Sequence, residues 1–524
     1  MHNRNAHLDS ALRRPGEVRG AAIVLAFIVV MLAVSIPIVT HPLPPLSDYI
    51  NNLARAHVIA TIGFDPDFQR FYTIEWQVIS NMMIDLIVPV LHRYMNIYVA
   101  GQIFIIASFF LILSGALALN RALFRRWSPV PLMAGLLLYN GVLLVGVVNY
   151  IFGIGLALWA FAAWVALRDR FWPWRLVVST LFAVVLFVCH LFALGVYGLA
   201  LLAFESWRLW AKRGDPLGPR LLDFIAGGVP FLPALALLLG SSTWNLARQI
   251  DWRLDGKLDG LMLAIGVYNE LTALVVAGIV VALAGWAAWR GLLRFHPAGW
   301  FLAGFGGIVY LAMPRSLFAS HLADQRLPLA LLCMLIACLD LDLHRARVRQ
   351  MFAALLVILL VVRIAEVQIV WDRLARDITA FRQSVLPIER GARILVTHGD
   401  RAAFQTERVS DLGLLHAASL ATIERSALVS TAFAVSGKQV MQVRDEFRRQ
   451  VDTADRIPPS AGWLPLSAGP VDETDRFYWS QWPRHYDYVY VLFTRAADKN
   501  PDSGRLALLQ DGPGFQLYRV IKRD

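Results

Sequence analysis

A carboxylate, amides, an arginine and a histidine follow one another closely in the stretch HPLPPLSDYINNLARAH, residues 41–57. Its prolines favour an extended backbone, after which a helix is predicted to begin at Ser47 or Asp48. Helical spacing then places four polar side chains on one face: Asp48, Asn51, Asn52 and Arg55. A carboxylate in this setting can act as a general base or orient a substrate hydroxyl. The alternative is that Asp48 only caps the helix, since Asp is a favoured N-cap residue.

The composition is that of a polytopic α-helical membrane protein. The chain has 524 residues, of which 57% are hydrophobic, and its mean hydropathy is +0.54. Apolar runs long enough to cross a bilayer recur along it. The net charge of +11 does not indicate nucleic acid, because many basic residues lie in short loops between apolar runs, as the positive-inside rule requires. Membrane lipids are therefore expected partners, and nucleic acid is not.

Residues 1–371 are predicted to form a bundle of about eleven transmembrane helices. We place the spans at residues 21–40, 98–119, 129–147, 150–167, 174–190, 191–208, 221–240, 261–289, 298–313, 327–343 and 351–371. The basic segment 1–20 puts the N-terminus in the cytoplasm, so residues 41–97 form a long first outer loop. The odd count puts the C-terminus outside. The long span at 261–289 is expected to contain a break.

Residues 372–524 are polar and mixed in composition, which indicates a soluble α/β domain on the extracytoplasmic (periplasmic) side of a plasma (inner) membrane. Strands are predicted at 393–397, 486–493 and 515–520, and a helical stretch at 414–426. Trp479 and Trp482 in this domain can stack on a sugar or belong to its core.

Further candidate residues lie in the predicted outer loops. The first loop adds His57 and three carboxylates, Asp65, Asp67 and Glu75. Asp65-Pro66-Asp67 also has the composition of a simple tight turn. Two later outer loops carry Lys257, Arg315, His321 and Arg326, against the general charge bias. Arg326 either anchors a helix at the interface or holds a phosphate, for which a guanidinium is well shaped.

Two other polar groups have simpler interpretations. His190 lies between two apolar runs, where a packed turn residue is more common than a ligand. Arg363 and Glu366 have the spacing of an ion pair on one helix.

A carboxylate and arginines at the outer membrane surface suit a lipid-phosphate donor. Such a donor presents an anionic head group at this level and an apolar chain in the bilayer. Transfer of its sugar to an acceptor hydroxyl uses a carboxylate as base and cations on the departing phosphate. Asp48, with Asp65, Asp67 and Glu75 as further candidates, supplies the carboxylates. Asn52, Arg55, His57, Lys257, Arg315, His321 and Arg326 are the candidates for binding substrate and phosphate.

The chain resembles the GT-C class of integral-membrane glycosyltransferases. The likeness rests on the motif PLSDYINNLARAH, on the DQRLP sequence entering a late span, and on the overall architecture. It implies that Asp48 is the catalytic or acceptor-activating carboxylate, and that the donor is a polyprenyl-phosphate sugar. The acceptor would be an envelope glycan, lipid or protein. Where many members have paired acidic residues, this chain has Ser47 and Tyr49 beside Asp48.

Two other functions remain open at this point: a transporter or flippase of a lipid-linked or anionic substrate, and a non-catalytic membrane scaffold. Few charges lie inside the spans, which disfavours transport. The sequence has no Walker motif, no dinucleotide fingerprint and no Cys/His spacing of the metal-binding type. We therefore predict no cofactor and no metal ligands, and leave open whether the reaction uses a divalent metal.

Overall fold

The computed structural model describes residues 20–522 except 249, 400–412, 455–457, 470–476 and 496–497. Residues 1–19 of the basic N-terminal segment thus lie outside the described residues. Most of the described chain is helical. Eight segments within it are long and apolar enough to cross a membrane: Gly20–Thr40, Ile97–Phe124, Val148–Asp169, Trp172–Cys189, Leu191–Ala211, Leu217–Leu239, Glu270–Trp289 and Ala346–Ser384. The prediction of a polytopic helical membrane protein is confirmed.

The helices of the bundle and first loop are, in chain order, α1 Gly20–Thr40, α2 Tyr49–Thr61, α3 Pro66–Phe71, α4 Met83–His92, α5 Ile97–Phe124, α6 Gly141–Val145, α7 Val148–Ala166, α8 Trp172–Cys189, α9 Leu191–Ala211, α10 Leu217–Ala226, α11 Leu232–Leu239, α12 Lys257–Ile265, α13 Glu270–Trp289, α14 Pro297–Ala312, α15 Ala323–Ala337 and α16 Ala346–Ser384. The C-terminal part adds α17 Leu420–Arg425, α18 Leu464–Ser467 and α19 Trp482–His485.

Three of the eleven predicted spans are shorter elements. Residues 298–313 and 327–343 correspond to α14 and α15, each shorter than a standard span. The span at 129–147 is broken into a 3-10 helix, Val130–Leu137, and α6. Pro131 lacks a backbone donor, and Asn140 caps α6 by accepting a bond from Leu143 N. Both pieces are largely buried among neighbouring helices, where irregular backbone is tolerated at membrane depth.

The break expected in the span at 261–289 is confirmed. Helix α12 ends at Ile265, and α13 begins at Glu270 after a non-helical segment. Asn269 caps α13 by accepting a hydrogen bond from Thr272 N at 3.0 Å. The carboxylate of Glu366 accepts bonds from Tyr268 N and Asn269 N, and its ion pair with Arg363 is present at 3.3 Å.

The loops predicted to lie on the inner side meet at one end of the bundle. Three contacts join them: Arg125 with Asp169, Arg126 with Asp340, and the N–H of His296 with the carbonyl of Cys338. Strands β2 Leu293–Phe295 and β3 Leu339–Leu341 also pair here. We call this the basic end. The first loop and the C-terminal domain lie at the opposite end.

The C-terminal domain is built on a five-stranded sheet in the order β5-β4-β7-β9-β8. Its strands are β4 Arg393–His398, β5 Leu428–Val429, β7 Tyr488–Leu492, β8 Leu506–Gly512 and β9 Phe515–Val520. β4 is parallel to β5 and β7, and β9 is antiparallel to both β7 and β8. The sheet contains the three strands predicted from the sequence, as β4, β7 and β9.

The first loop and this domain are folded together. Strand β1 Tyr72–Ile74 of the loop pairs antiparallel with β6 Met441–Val443 of the domain. Apolar side chains of α3 and β1 form one buried cluster with domain residues, among them Leu428 and Val451. Helix α16 continues without interruption from the bundle into the domain, about 58 Å in all, so the predicted boundary at 371/372 falls inside one helix.

Candidate functional site

A cavity of about 460 Å³ lies where the bundle meets the C-terminal domain. The bundle and its loops supply Asp48, Asn52, Asn149, His190, His321 and Arg326 to its wall. The domain supplies His416, Thr431, Phe433, Lys438, Gln439 and Asp452. The site is therefore composite, and its polar groups of both signs come from distant parts of the chain.

Asp48 precedes helix α2 and does not cap it. Its side chain makes no capping hydrogen bond, which removes the simpler interpretation of this carboxylate. The backbone is held against the end of α6 instead, because Ser47 N and Asp48 N donate to the carbonyls of Leu144 and Val145, each at 2.9 Å. The carboxylate is thus left available on the cavity wall.

Gly146 makes this close approach possible. Its φ of +88° is in the left-handed region that favours glycine, and a Cβ at this position would lie 2.7 Å from Asp48 N. The carbonyl of Gly146 also lies 3.5 Å from Asn52 Nδ2, a long hydrogen bond on the same wall. One glycine therefore sets the position of the first polar residues of the site.

His416, from the domain, is an ionisable neighbour of Asp48. Its Nε2 lies 3.4 Å from Asp48 Oδ1, and its Nδ1 lies 3.2 Å from Asn51 Nδ2. The ring packs edge-on against Phe433 with centroids 4.9 Å apart. His416 is within the helical stretch predicted at 414–426, but a single histidine among apolar residues gives no signal that it would meet Asp48.

Arg326 is buried in the cavity wall and does not reach the membrane surface as an interfacial anchor. Only 8% of the residue is exposed. Its guanidinium donates to the carbonyl of His321 at 2.7 Å and to Ser320 Oγ at 3.3 Å. Its Nε has no hydrogen-bond partner within the described residues. An unsatisfied buried donor is costly, so the protein alone does not satisfy all the hydrogen-bonding groups of this guanidinium.

Four residues of the cavity wall adopt the left-handed backbone region although none of them is glycine: Asn81, Phe318, Ala319 and Leu322. Such conformations cost about 1–3 kcal/mol each and cluster at functional sites. Three of them belong to the turn that carries Ser320 and His321. The backbone strain is therefore concentrated beside Arg326.

His190 and His321 also face the cavity. The Nδ1 of His190 accepts a bond from Phe192 N and so caps α9, as the packed-turn interpretation expects. His321 Nδ1 lies 2.8 Å from Ser316 Oγ. Of the residues selected from sequence, the structure brings Asp48, Asn52, His321 and Arg326 together here.

Arg55 and His57 lie away from the cavity. Arg55 Nε donates to Asp85 at 2.8 Å, and both side chains are 1% exposed, so this pair joins α2 to α4 inside the protein. His57 Nδ1 lies 2.9 Å from His92 Nε2. Burial, with a smaller contribution from His92, lowers the pKa of His57 to about 4. Arg55 and His57 therefore bind neighbouring side chains of the protein and do not contribute to the cavity.

The other first-loop carboxylates are also outside the cavity. Asp65 caps α3 and accepts a hydrogen bond from Ser426 Oγ at 2.7 Å. Burial acts to raise the pKa of Asp65, but hydrogen bonds from Ser426 and the backbone, with the nearby Arg390, bring it below its usual value. Asp67 lies 3.9 Å from both Arg70 and Arg390. Glu75 accepts a bond from Gln77.

Lys257 and Arg315 hold a carboxylate and are not among the residues lining the cavity. Asp324 is fully buried between them, 2.7 Å from Lys257 Nζ and 3.2 Å from Arg315 Nε. Lys257 also donates to the carbonyls of Tyr310 and Met313. This triad ties α12, α14 and α15 together near the cavity.

The two candidate tryptophans of the domain have other partners. Trp482 is fully buried and donates to the carbonyl of Leu464, as the core interpretation expects. Trp479 stacks on Phe477 with ring centroids 4.5 Å apart. Neither lines the cavity.

Fold and site together define a polytopic helical membrane protein with a charged cavity between its bundle and its α/β domain. No protein-family model matches the chain, and no curated protein matches it. Among the described residues, no group of three or more His, Cys, Asp or Glu side chains is arranged to hold a metal ion.

Proposed function

We propose that this protein is a GT-C-like membrane glycosyltransferase that moves a sugar from a polyprenyl-phosphate donor to an envelope glycan, lipid or protein acceptor. The single observation that carries the proposal is that the Asp48 carboxylate and the Arg326 guanidinium line the same cavity at the end of the bundle. These are the two charges that the transfer of a sugar from a lipid phosphate requires.

Asp48 is the base in this reaction. It removes the proton from the acceptor hydroxyl while the acceptor oxygen forms a bond to the anomeric carbon of the sugar. The bond from that carbon to the phosphate oxygen breaks, and its electron pair leaves with the phosphate. No other carboxylate of the first loop that sequence singled out reaches the cavity, which supports this assignment.

Arg326 binds the departing phosphate. The residue lines the cavity and is 8% exposed, and burial strengthens the interaction of its guanidinium with an anion. The nearby His321 and Asn52 are further donors for the phosphate or the sugar hydroxyls. The remaining sequence candidates, Arg55, His57, Lys257 and Arg315, hold other elements in place.

The orientation is part of the proposal. The Arg-rich loops gather at the basic end, which the positive-inside rule assigns to the cytoplasm. The cavity and the domain then lie on the outer face of the plasma membrane, with about eleven crossings if the shorter elements α14, α15 and 129–147 are counted. A lipid-linked donor in the outer leaflet reaches the cavity from the bilayer.

The experiment is a transfer assay on purified protein in lipid, with radiolabelled polyprenyl-phosphate sugars and an envelope glycolipid extract. Wild type is expected to move label to an acceptor. Arg326→Gln is expected to lower kcat/KM for the donor by roughly 10²-fold, as removal of one stabilising donor does elsewhere.

Glu75→Gln serves as the matched control, because it neutralises a first-loop carboxylate outside the cavity and is expected to retain wild-type transfer. Loss of transfer in Glu75→Gln with full activity in Arg326→Gln would move the site to the rim of the first loop. If no donor gives a covalent product and the donor moves across the bilayer, the protein is a transporter and the proposed enzyme function is wrong.

A further inference from the structure

On the domain side of the cavity, Asn51 is hydrogen-bonded to His416, whose ring lies beside the Asp48 carboxylate. Asn51 is 1% exposed, and its amide orientation is fixed by two backbone groups. Its Nδ2 donates to the carbonyl of Thr431 at 2.7 Å, and its Oδ1 accepts from Phe433 N at 3.1 Å. Exchange of the amide's oxygen and nitrogen would break both bonds. The end of Asn51 that faces His416 is therefore the nitrogen.

This orientation determines which ring nitrogen of His416 carries the proton. Asn51 Nδ2 can only donate, so His416 Nδ1, at 3.2 Å, must accept. In the neutral imidazole the proton then resides on Nε2. Nε2 is the atom that lies 3.4 Å from Asp48 Oδ1. The proton is thus on the ring nitrogen that neighbours the carboxylate.

We infer that His416 is a positioning residue, fixed in one tautomer by Asn51, whose Nε2–H orients the Asp48 carboxylate toward the acceptor. This inference rests on the proposed function, since it assigns His416 a role in the same reaction. The separation of 3.4 Å is longer than a strong hydrogen bond, and contacts of this kind often shorten when substrate is bound. The C-terminal domain consequently supplies part of the reaction centre.

Two substitutions at His416 separate positioning from other roles. In His416→Gln the side-chain amide reaches the level of the imidazole Nε2 and can still donate to Asp48. In His416→Asn the amide reaches only the level of Nδ1 and cannot. We expect kcat to stay within about threefold of wild type in His416→Gln and to fall roughly 10- to 100-fold in His416→Asn, as loss of a bond to a charged group does. KM for the donor is expected to be unchanged in both.

The matched control is His92→Gln, which alters a partly buried histidine outside the cavity and is expected to keep wild-type kcat. Equal loss of kcat in His416→Gln and His416→Asn would overturn the inference, because a proton carrier or a purely structural histidine is not replaced by an amide. Wild-type kcat in His416→Asn would overturn it too.

The tautomer is measured independently of activity by ¹⁵N NMR of histidine-labelled protein in lipid, with His416→Gln identifying the His416 resonances. A protonated Nε2 and an unprotonated Nδ1 support the inference, and the opposite tautomer overturns it. If wild type transfers no sugar, the proposed function and the positioning role both fail. The NMR result still decides whether Asn51 fixes the ring.

Discussion

Asp48 and Arg326 are far apart in sequence, one before the first long loop helix and the other near the start of α15, yet both line one cavity. Their residue types made them candidates from sequence. The same reasoning selected Arg55, which the fold places in a buried pair with Asp85. The residue type indicates which chemistry a side chain can perform. Its contacts in the folded protein show whether it is available for that chemistry.

His57 gives a pH-dependent contribution to stability. Its pKa is lowered from 6.5 to about 4 in the folded state, so in this pH range the unfolded chain binds the proton more tightly. The free energy of unfolding is therefore expected to decrease as the pH falls from 7 to 5, by roughly 2 kcal/mol from this residue.

Thermal unfolding in detergent at both pH values checks this contribution. The decrease in Tm between pH 7 and pH 5 should be smaller in His57→Gln than in wild type. His344→Gln, at the basic end, is the control and should show the wild-type decrease. If His57→Gln shows the same decrease in Tm as wild type, the pKa of His57 is not lowered by burial and the prediction is wrong.

At the scale of elements, the turn between α6 and α7 positions Asp48. We expect Gly146→Ala to destabilise the turn by about 1–2 kcal/mol, since the left-handed conformation is unfavourable for alanine. Its Cβ also meets Asp48 N, so the carboxylate is displaced and transfer should fall by tenfold or more.

Gly278→Ala is the matched control, because a Cβ at this helical glycine meets nothing within 4 Å. Transfer rate and Tm are measured for both variants. Wild-type transfer in Gly146→Ala would show that the backbone contact between Gly146 and Asp48 does not position the site.

The interrupted helices show which spans could be predicted from the sequence. Hydropathy predicted all eight long apolar segments of the described residues, and the break before α13 was expected. Hydropathy could not distinguish a straight span from the interrupted segment at 129–147, because both are apolar. The difference lies in burial by neighbouring helices, which satisfies or shields the irregular backbone.

At the scale of the whole molecule, the first loop and the C-terminal domain behave as one folded unit. Residues 372–524 alone would leave β6 without its partner β1 and expose the apolar cluster shared with α3. We expect this fragment to be protease-sensitive and to unfold without a cooperative transition. Joining residues 41–97 to it through a flexible linker should give protease resistance and a cooperative unfolding transition, which proteolysis and circular dichroism measure. A cooperative isolated fragment would contradict this.

The composite nature of the site also limits what sequence can predict. Strands β4, β7 and β9 follow from local apolar runs, and Asp48 follows from its place after a span. His416, Lys438 and Asp452 come to the cavity only because the domain folds against the first loop. No local pattern carries that long-range contact, so these residues were not selected.

The most direct test of the central claim is the transfer rate of Asp48→Asn beside wild type, with donor binding measured on the same preparations. If Asp48 is the base, the variant should bind donor like wild type and transfer sugar at least roughly 10²-fold more slowly. Transfer at the wild-type rate by folded Asp48→Asn would contradict the account and place the base elsewhere.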